Sequence, residues 1–376
     1  MDRPRILCVF GTRPEAIKMA PVVRALAASS DLEPVVCVTD QHREMLDQVL
    51  GFFDLRPDHR LGVMRANQTP SEVAARVLER LPAVLDGVRP AAVLVQGDTT
   101  TTIAAALAAF HARIPVGHVE AGLRTHRLDS PFPEEANRRL VRTLARWHFA
   151  PTAQARDQLL HEHVPASHVV VTGNPVIDAL LWAVERLDAR PLHLRLPVDA
   201  GRRIVLVTAH RRESFGTPFN ELCRALREVA DRNPDVELVY PVHLNPEVQR
   251  TVRLVLHGHP RIHLLPPVSY PELVDLLRRC HLVLTDSGGI QEEAPSLAKP
   301  VLVLRDTTER SEGIAAGTAR LVGTARRRVV AETERLLHDR AAYDAMARAH
   351  NPYGDGRASG RIVGVLRGAL MAEDAA

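Results

Sequence analysis

The stretch Arg5-Ile6-Leu7-Cys8-Val9-Phe10-Gly11-Thr12-Arg13-Pro14-Glu15-Ala16-Ile17-Lys18 decides the fold. Its apolar run from Ile6 to Phe10 reads as a strand covered on both faces, and a helical pattern starts directly after a short turn. Gly11 permits a sharp turn, and Pro14 suits the first helical position, where its missing N–H is no loss. A helix N-terminus with Arg13 beside it makes an anion site. For Gly11 and Pro14 a plain strand–helix turn is the alternative. The spacing is not Gly-x-Gly-x-x-Gly, so a dinucleotide cofactor gets little support.

The same strand–helix alternation continues along the chain, which argues for parallel sheets covered by helices. Candidate strands in the first half are Arg5–Phe10, Pro34–Thr39, Ala92–Gln96, Pro115–Val119 and His168–Thr172. Helical patterns cover Ala16–Ala27, Ser71–Leu85, Thr102–His111 and Glu134–Ala145. Leu187–Arg202, with Pro191, Pro197 and Gly201, has no strong period and closes this series. Strands then resume at Ile204–Thr208, Val236–Pro241, Ile262–Leu265, Leu282–Thr285 and Pro300–Leu304. A length of 376 residues also exceeds what one core usually serves, so two α/β units are expected.

A net charge of +3 with arginines spread along the chain gives no nucleic-acid surface, and aromatic residues for stacking bases are scarce. Lys18 and Lys299 are the only lysines among 48 basic residues, a bias that fits a GC-rich genome and singles out both positions. Cys8, Cys37, Cys223 and Cys280 lie apart in mostly apolar contexts and read as reduced core residues. The first apolar run is too short for a signal peptide, and no stretch approaches the roughly 20 apolar residues of a membrane span. A cytoplasmic protein without membrane or nucleic-acid partners is expected.

In open parallel sheets ligands sit beyond the carboxyl ends of the strands. Asp98 and Glu120 stand at two such ends, and crowded carboxylates there have the pKa separation that acid/base work needs. Asp98 can alternatively cap the following helix. Glu134 and Glu135 follow Ser130-Pro131-Phe132-Pro133, where acids at a helix start often only complement its dipole. His210, between a strand end and Arg211-Arg212, suits a proton donor or phosphate ligand, with a surface histidine as the plainer reading. Ser287-Gly288-Gly289 lets backbone N–H groups approach an anion, and Arg310 can pair bidentately with a phosphate. No His-Glu-x-x-His or Cys/His ligand spacing appears, so neither a metal nor another cofactor is expected.

In order and spacing these segments resemble the bacterial non-hydrolysing UDP-N-acetylglucosamine 2-epimerases over nearly the whole chain. The resemblance rests on Gly11–Lys18, Gln41–Leu46, Gly97–Thr102, Gly117–Arg124, Pro131–Arg138, His210–Ser214, Asp286–Glu293 and Thr308–Arg310. It implies an α/β fold of two Rossmann-like domains with parallel sheets, glycosyltransferase-B-like, with the active site in the interdomain cleft. It also implies a homodimer. The expected domains are 1–172, with a C-terminal helix of about 357–376 packing back on it, and a UDP-binding domain over 173–356.

The implied reaction removes the C2 proton and expels UDP from C1, giving 2-acetamidoglucal, then reprotonates the other face and readds UDP. Asp98, Glu120, Glu134 and His210 match catalytic positions. Arg13, Lys18, Ser287, Gly288, Gly289, Glu293 and Arg310 match positions that hold UDP. Gln41, Gln68, Arg211 and His243 match a second-substrate activator site of some members, although Asn67 stands where such members carry a basic residue. Further departures are His126-Arg127-Leu128-Asp129, Ser311 and Val268. The rival readings are a hydrolysing 2-epimerase, a glycosyltransferase using a UDP-sugar, and a non-catalytic nucleotide-sugar sensor.

Overall fold

Strand β1 (Arg5–Phe10) carries five consecutive side chains without exposure, Ile6 through Phe10, because helices cover both faces of the sheet it enters. The computed structural model describes residues 3–373 apart from 42, 66, 67, 193, 195, 197, 200, 212 and 213. It divides into one unit of Met1–Leu181 with Tyr353–Ala376 and a second of Trp182–Pro352.

In the first unit, β1 is joined by β2 (Glu33–Val38), β3 (His59–Arg60), β4 (Ala92–Gln96), β5 (Val116–Val119), β6 (Trp147–Ala150) and β7 (Val169–Val171). Their order is β3-β2-β1-β4-β5-β6-β7, and every pairing is parallel. The order reverses between β1 and β4, which is where an open α/β sheet leaves a crevice beyond its strand ends. The helices Arg13–Ala27 and Pro70–Val88 each open with a reciprocal Thr–Glu capping box, Thr12/Glu15 and Thr69/Glu72.

In the second unit the strands are β8 (Arg203–Thr208), β9 (Val236–Pro241), β10 (Ile262–Leu265), β11 (Leu282–Thr285), β12 (Val301–Val303) and β13 (Ala319–Leu321). Their order, β10-β9-β8-β11-β12-β13, is again parallel and reverses between β8 and β11. Both units are therefore Rossmann-like. Leu194, Leu196 and Val198 pack against the core of this second unit. The stretch that closes the first series in the sequence thus belongs to the second unit.

Strands β3, β6 and β13 are absent from the sequence-based set. The strand β3 has two residues, and β6 reads Trp-His-Phe-Ala, where the buried His148 interrupts the apolar run. The chain leaves the first unit within the helix Pro175–Ala189 and re-enters at Tyr353, which is fully buried. The last helix, Ala358–Glu373, packs on Arg13–Ala27, and its first turn donates to Asp178 from the N–H groups of Ala358 (3.2 Å) and Ser359 (2.8 Å). All four cysteines are buried free thiols, with burial pushing each pKa up to about 12. Among the described residues no helix is long and apolar enough to cross a membrane.

Candidate active site

At the reversal in the first unit, Gly11 is required by proximity. A Cβ there would lie 1.9 Å from Thr39 Oγ1 and 2.9 Å from Thr101 Oγ1, hydroxyls that bond each other at 3.0 Å. The sharp turn expected of Gly11 is thus a close packing contact, and it is Gly97 after β4 that has a left-handed backbone, φ +71°. Glu15 ties these two loops together. Its Oε2 accepts the N–H groups of Gly11 (3.2 Å) and Thr12 (2.8 Å), and its Oε1 accepts the hydroxyls of Thr99 (2.8 Å) and Thr102 (3.3 Å). Burial pushes its pKa up, while the bonds from Thr12, Thr99 and Gly11 pull it back. Arg13, half-buried, opens the helix.

Adjacent strands β4 and β5 carry Asp98 and Glu120 just past their ends. Glu120 is buried with φ +64°, an uncommon conformation for a side chain of this size. Its Oε2 is ion-paired with Lys18 Nζ and accepts Asn174 Nδ2 at 2.9 Å. Lys18, expected on UDP, ends on this carboxylate. Asp98 is held by Arg138 through Oδ2, and its carbonyl accepts Asn137 Nδ2 at 2.9 Å.

Glu134 starts the helix Glu134–Leu144 and is half-buried. Its neighbour Glu135 is fully buried and accepts from Thr125 N (3.0 Å), His126 N (3.2 Å), Arg138 Nη1 (3.2 Å) and Arg139 Nε (3.2 Å). The acidic pair therefore divides, with Glu135 organising the loop before the helix. His118, two residues before Glu120, donates Nε2–H to Gly97 O at 2.7 Å, which fixes its tautomer. Burial pushes its pKa down to about 4, so it is neutral.

In the second unit the paired strand ends are joined by Thr208 Oγ1 and Thr285 Oγ1 at 2.6 Å. Asp286, buried just past β11, accepts the N–H groups of His210 (2.6 Å) and Arg211 (2.7 Å), and its Oδ1 lies 3.4 Å from His210 Nδ1. It thereby fixes the loop that presents His210. The imidazole stacks on His243 with centroids 5.0 Å apart. Burial lowers the His210 pKa, Asp286 opposes this, and His243 and Arg211 reinforce it.

Ser287 stands at the N-cap position of the helix Gly288–Ser296. A Cβ on Gly288 would lie 2.8 Å from Arg310 Cζ, so the guanidinium rests against this glycine. Arg310 donates Nε–H to Glu292 at 2.9 Å and pairs with Glu309 through Nη1. Glu309 is pushed up by burial, but Arg310 and Arg305 carry its pKa well below the usual carboxylate range. Glu293 accepts the hydroxyl of Tyr270 at 2.9 Å, and a Cβ on Gly289 would lie 3.6 Å from its Oε2. The buried charges behind the glycine turn are thus largely compensated within the unit, and the backbone N–H groups of a helix start remain its anion-directed feature.

Of the residues matched to an activator site, Gln41 accepts Thr101 Oγ1 at 3.2 Å, and Gln68 accepts Arg65 N at 3.0 Å and Arg76 Nη2 at 2.8 Å. These two belong to the first unit; Arg211, half-buried, and His243, exposed, belong to the second. Asn67, Arg212 and Glu213 lie outside the described residues. Val268 packs partly buried at the second core, and Ser311 starts a short helix, Ser311–Ala315. Among the described residues no three His, Cys, Asp or Glu side chains gather as a metal site requires. Five residues that carry much of the geometry, Glu15, Arg138, Asn174, Asp286 and Glu309, are absent from the sequence-based site. Glu15, Arg138, Asp286 and Glu309 lie inside the segments that carry the family resemblance, and Asp286 also stands as an acid directly after a strand; Asn174 lies in none of those segments.

Two parallel Rossmann-like units, each with its polar residues beyond the strand ends at a reversal of strand order, define the glycosyltransferase-B-like class. A sequence model described as UDP-N-acetylglucosamine 2-epimerase matches residues 24–367. The chain is 55% identical over 369 residues to the UDP-N-acetylglucosamine 2-epimerase of Salmonella typhimurium LT2, covering 96% of this chain and 98% of that one. The crystal structure of UDP-GlcNAc 2-epimerase from Neisseria meningitidis bound to UDP-GlcNAc matches with TM-score 0.92 and 47% identity, covering 96% and 99% of the two chains. The S. aureus MnaA–UDP co-structure matches with TM-score 0.89 and 45% identity, covering 98% and 97%. The chain belongs to the UDP-N-acetylglucosamine 2-epimerase family.

Proposed function

We propose that this protein reversibly epimerises UDP-N-acetylglucosamine at C2 to UDP-N-acetylmannosamine without net hydrolysis. A base takes the C2 proton, the electron pair forms the C1–C2 double bond, and the C1–O bond breaks toward the β-phosphate. UDP and 2-acetamidoglucal stay bound, C2 is reprotonated on the opposite face, and UDP adds back at C1. No carbonyl adjacent to C2 acidifies its proton, so leaving-group stabilisation and exclusion of water must supply most of the barrier reduction.

The observation that carries this reading is the pair of anchored carboxylates at adjacent strand ends, Glu120 held by Lys18 and Asp98 held by Arg138. Two fixed acids beside one another suit proton transfer to and from a single carbon. Glu134 completes the acid set in this reading. Arg13, Ser287, Gly288, Gly289 and Arg310 hold the diphosphate, Glu293 the ribose, and Lys18 acts through Glu120. His210 enters neutral, and a bound diphosphate raises its pKa toward the protonated form that stabilises departing UDP.

A cytoplasmic homodimer belongs to the same reading. Phe110 and Leu140, 54% and 57% exposed on two helices packed together in the first unit, support it. Proton NMR in D2O tests the chemistry. UDP-N-acetylmannosamine appearing with deuterium at C2 of both sugars, and no lasting free UDP, is the expected result. Free N-acetylmannosamine with stoichiometric UDP identifies a hydrolysing enzyme instead.

A further inference from the structure

Asn174 is fully buried between β7 and the helix Pro175–Ala189, and three of its hydrogen bonds within the first unit fix its backbone and its side chain. Its backbone N–H donates to Tyr353 O at 2.7 Å, where the chain re-enters the unit. The side-chain Oδ1 accepts Val176 N at 3.2 Å, and Nδ2 donates to Glu120 Oε2 at 2.9 Å. Because the oxygen is committed to an N–H, the amide cannot flip, and its NH2 must face the carboxylate.

The backbone around it has little slack. Gly173 has φ +86°, and a Cβ there would lie 3.2 Å from Gly354 Cα. Gly354 has φ +140°, and its Cβ would lie 3.4 Å from Asn174 N. Two crossing segments thus meet backbone to backbone, and Asn174 transmits their position to Glu120. Lys18 gives the same oxygen a rotatable point charge, which neutralises without fixing direction. The planar amide supplies the direction.

We infer that Asn174 is a positioning residue for Glu120, locking the plane of that carboxylate to the point where the chain re-enters the first unit. This rests on the reading of Glu120 as a proton-transfer group. The test compares Asn174→Ala and Asn174→Asp with the unchanged protein in melting temperature, kinetics and a carbon-13 NMR titration of the Glu120 carboxyl, identified by its loss in E120Q.

N174A should lower kcat about 10- to 100-fold, the effect of roughly 1 Å of misplacement, with KM within about 3-fold. N174D keeps the bond from Val176 but sets a second carboxylate at the position of Nδ2. It should raise the Glu120 titration midpoint by at least about one pH unit and move the acidic limb of kcat/KM upward with it. A Glu120 midpoint unmoved in N174D overturns the inference. So does an N174A protein that loses only melting temperature while kcat holds. An unchanged protein that neither epimerises nor exchanges C2 hydrogen overturns the reading of Glu120 instead, and the carboxyl titration still decides whether Asn174 controls it.

Discussion

Replacing Lys18 with Met removes the cation from a buried carboxylate while keeping an unbranched chain in its place. The side chains of Lys18 and Glu120 are 10% and 5% exposed, so water cannot stand in for the lost ammonium. Breaking a buried pair by deleting one partner costs about 3–5 kcal/mol. Asn174 still donates at 2.9 Å, and a hydrogen bond to a charged group offsets part of that. The expected loss is therefore about 3 kcal/mol, at the lower end of the range. For a unit of roughly 200 residues, each kcal/mol lowers the midpoint by about 2–4 °C, giving a fall of about 6–12 °C.

Scanning calorimetry at pH 7 reads this, and urea unfolding checks it independently. E120Q in the K18M background removes the stranded charge and should recover at least about 1.5 kcal/mol relative to additivity. K18M within about 0.5 kcal/mol of the unchanged protein would refute the reasoning. A double variant equal to the sum of the singles would also show that the two groups are uncoupled.

Gly288→Ala drives a methyl to within 2.8 Å of the Arg310 guanidinium, which Glu292 and Glu309 hold in place. Loss of one charge-assisted phosphate bond, about 1.5–3 kcal/mol, should weaken UDP binding about 10- to 150-fold by calorimetric titration. Affinity within about 2-fold of the unchanged protein would remove this cradle from UDP binding. Acid stability gives a separate test through His118 and His148, whose burial lowers their pKa values to about 4 and about 3. Both folded values lie below the unfolded one near 6.5, so the unfolded chain takes up protons first and stability falls as pH drops from about 6.5 toward 4. The loss of stability approaches roughly 3 kcal/mol per histidine at pH 4, and H118Q should flatten the slope of urea midpoint against pH. An unchanged slope in H118Q would mean that His118 does not drive the loss.

Parallel α/β units were legible because a strand covered on both faces is apolar almost throughout, as in Ile6–Phe10 and Leu282–Leu284. Trp147–Ala150 escaped because a neutral buried histidine breaks that run, which only burial and its suppressed protonation make tolerable. The domain crossing was less legible. Helical periodicity continues through Pro175–Ala189 although the division between the units falls inside it.

The sequence alone determined which residues stand at strand ends, since alternating apolar runs and helix starts are local and the polar residues between them are few. Asp98, Glu120, His210 and the Ser287-Gly288-Gly289 turn follow from that placement. Tertiary structure decided what each one touches. Lys18 lies on Glu120, Arg138 on Asp98, Asp286 under the His210 loop, and Gly11 against Thr39 rather than at a bend. Such partners come from distant parts of the chain, as with Asn174 and Glu120 at a separation of 54 residues. A charge carries no local mark of its partner, because pairing is set by how sheets and helices stack and by which groups that stacking seals from water.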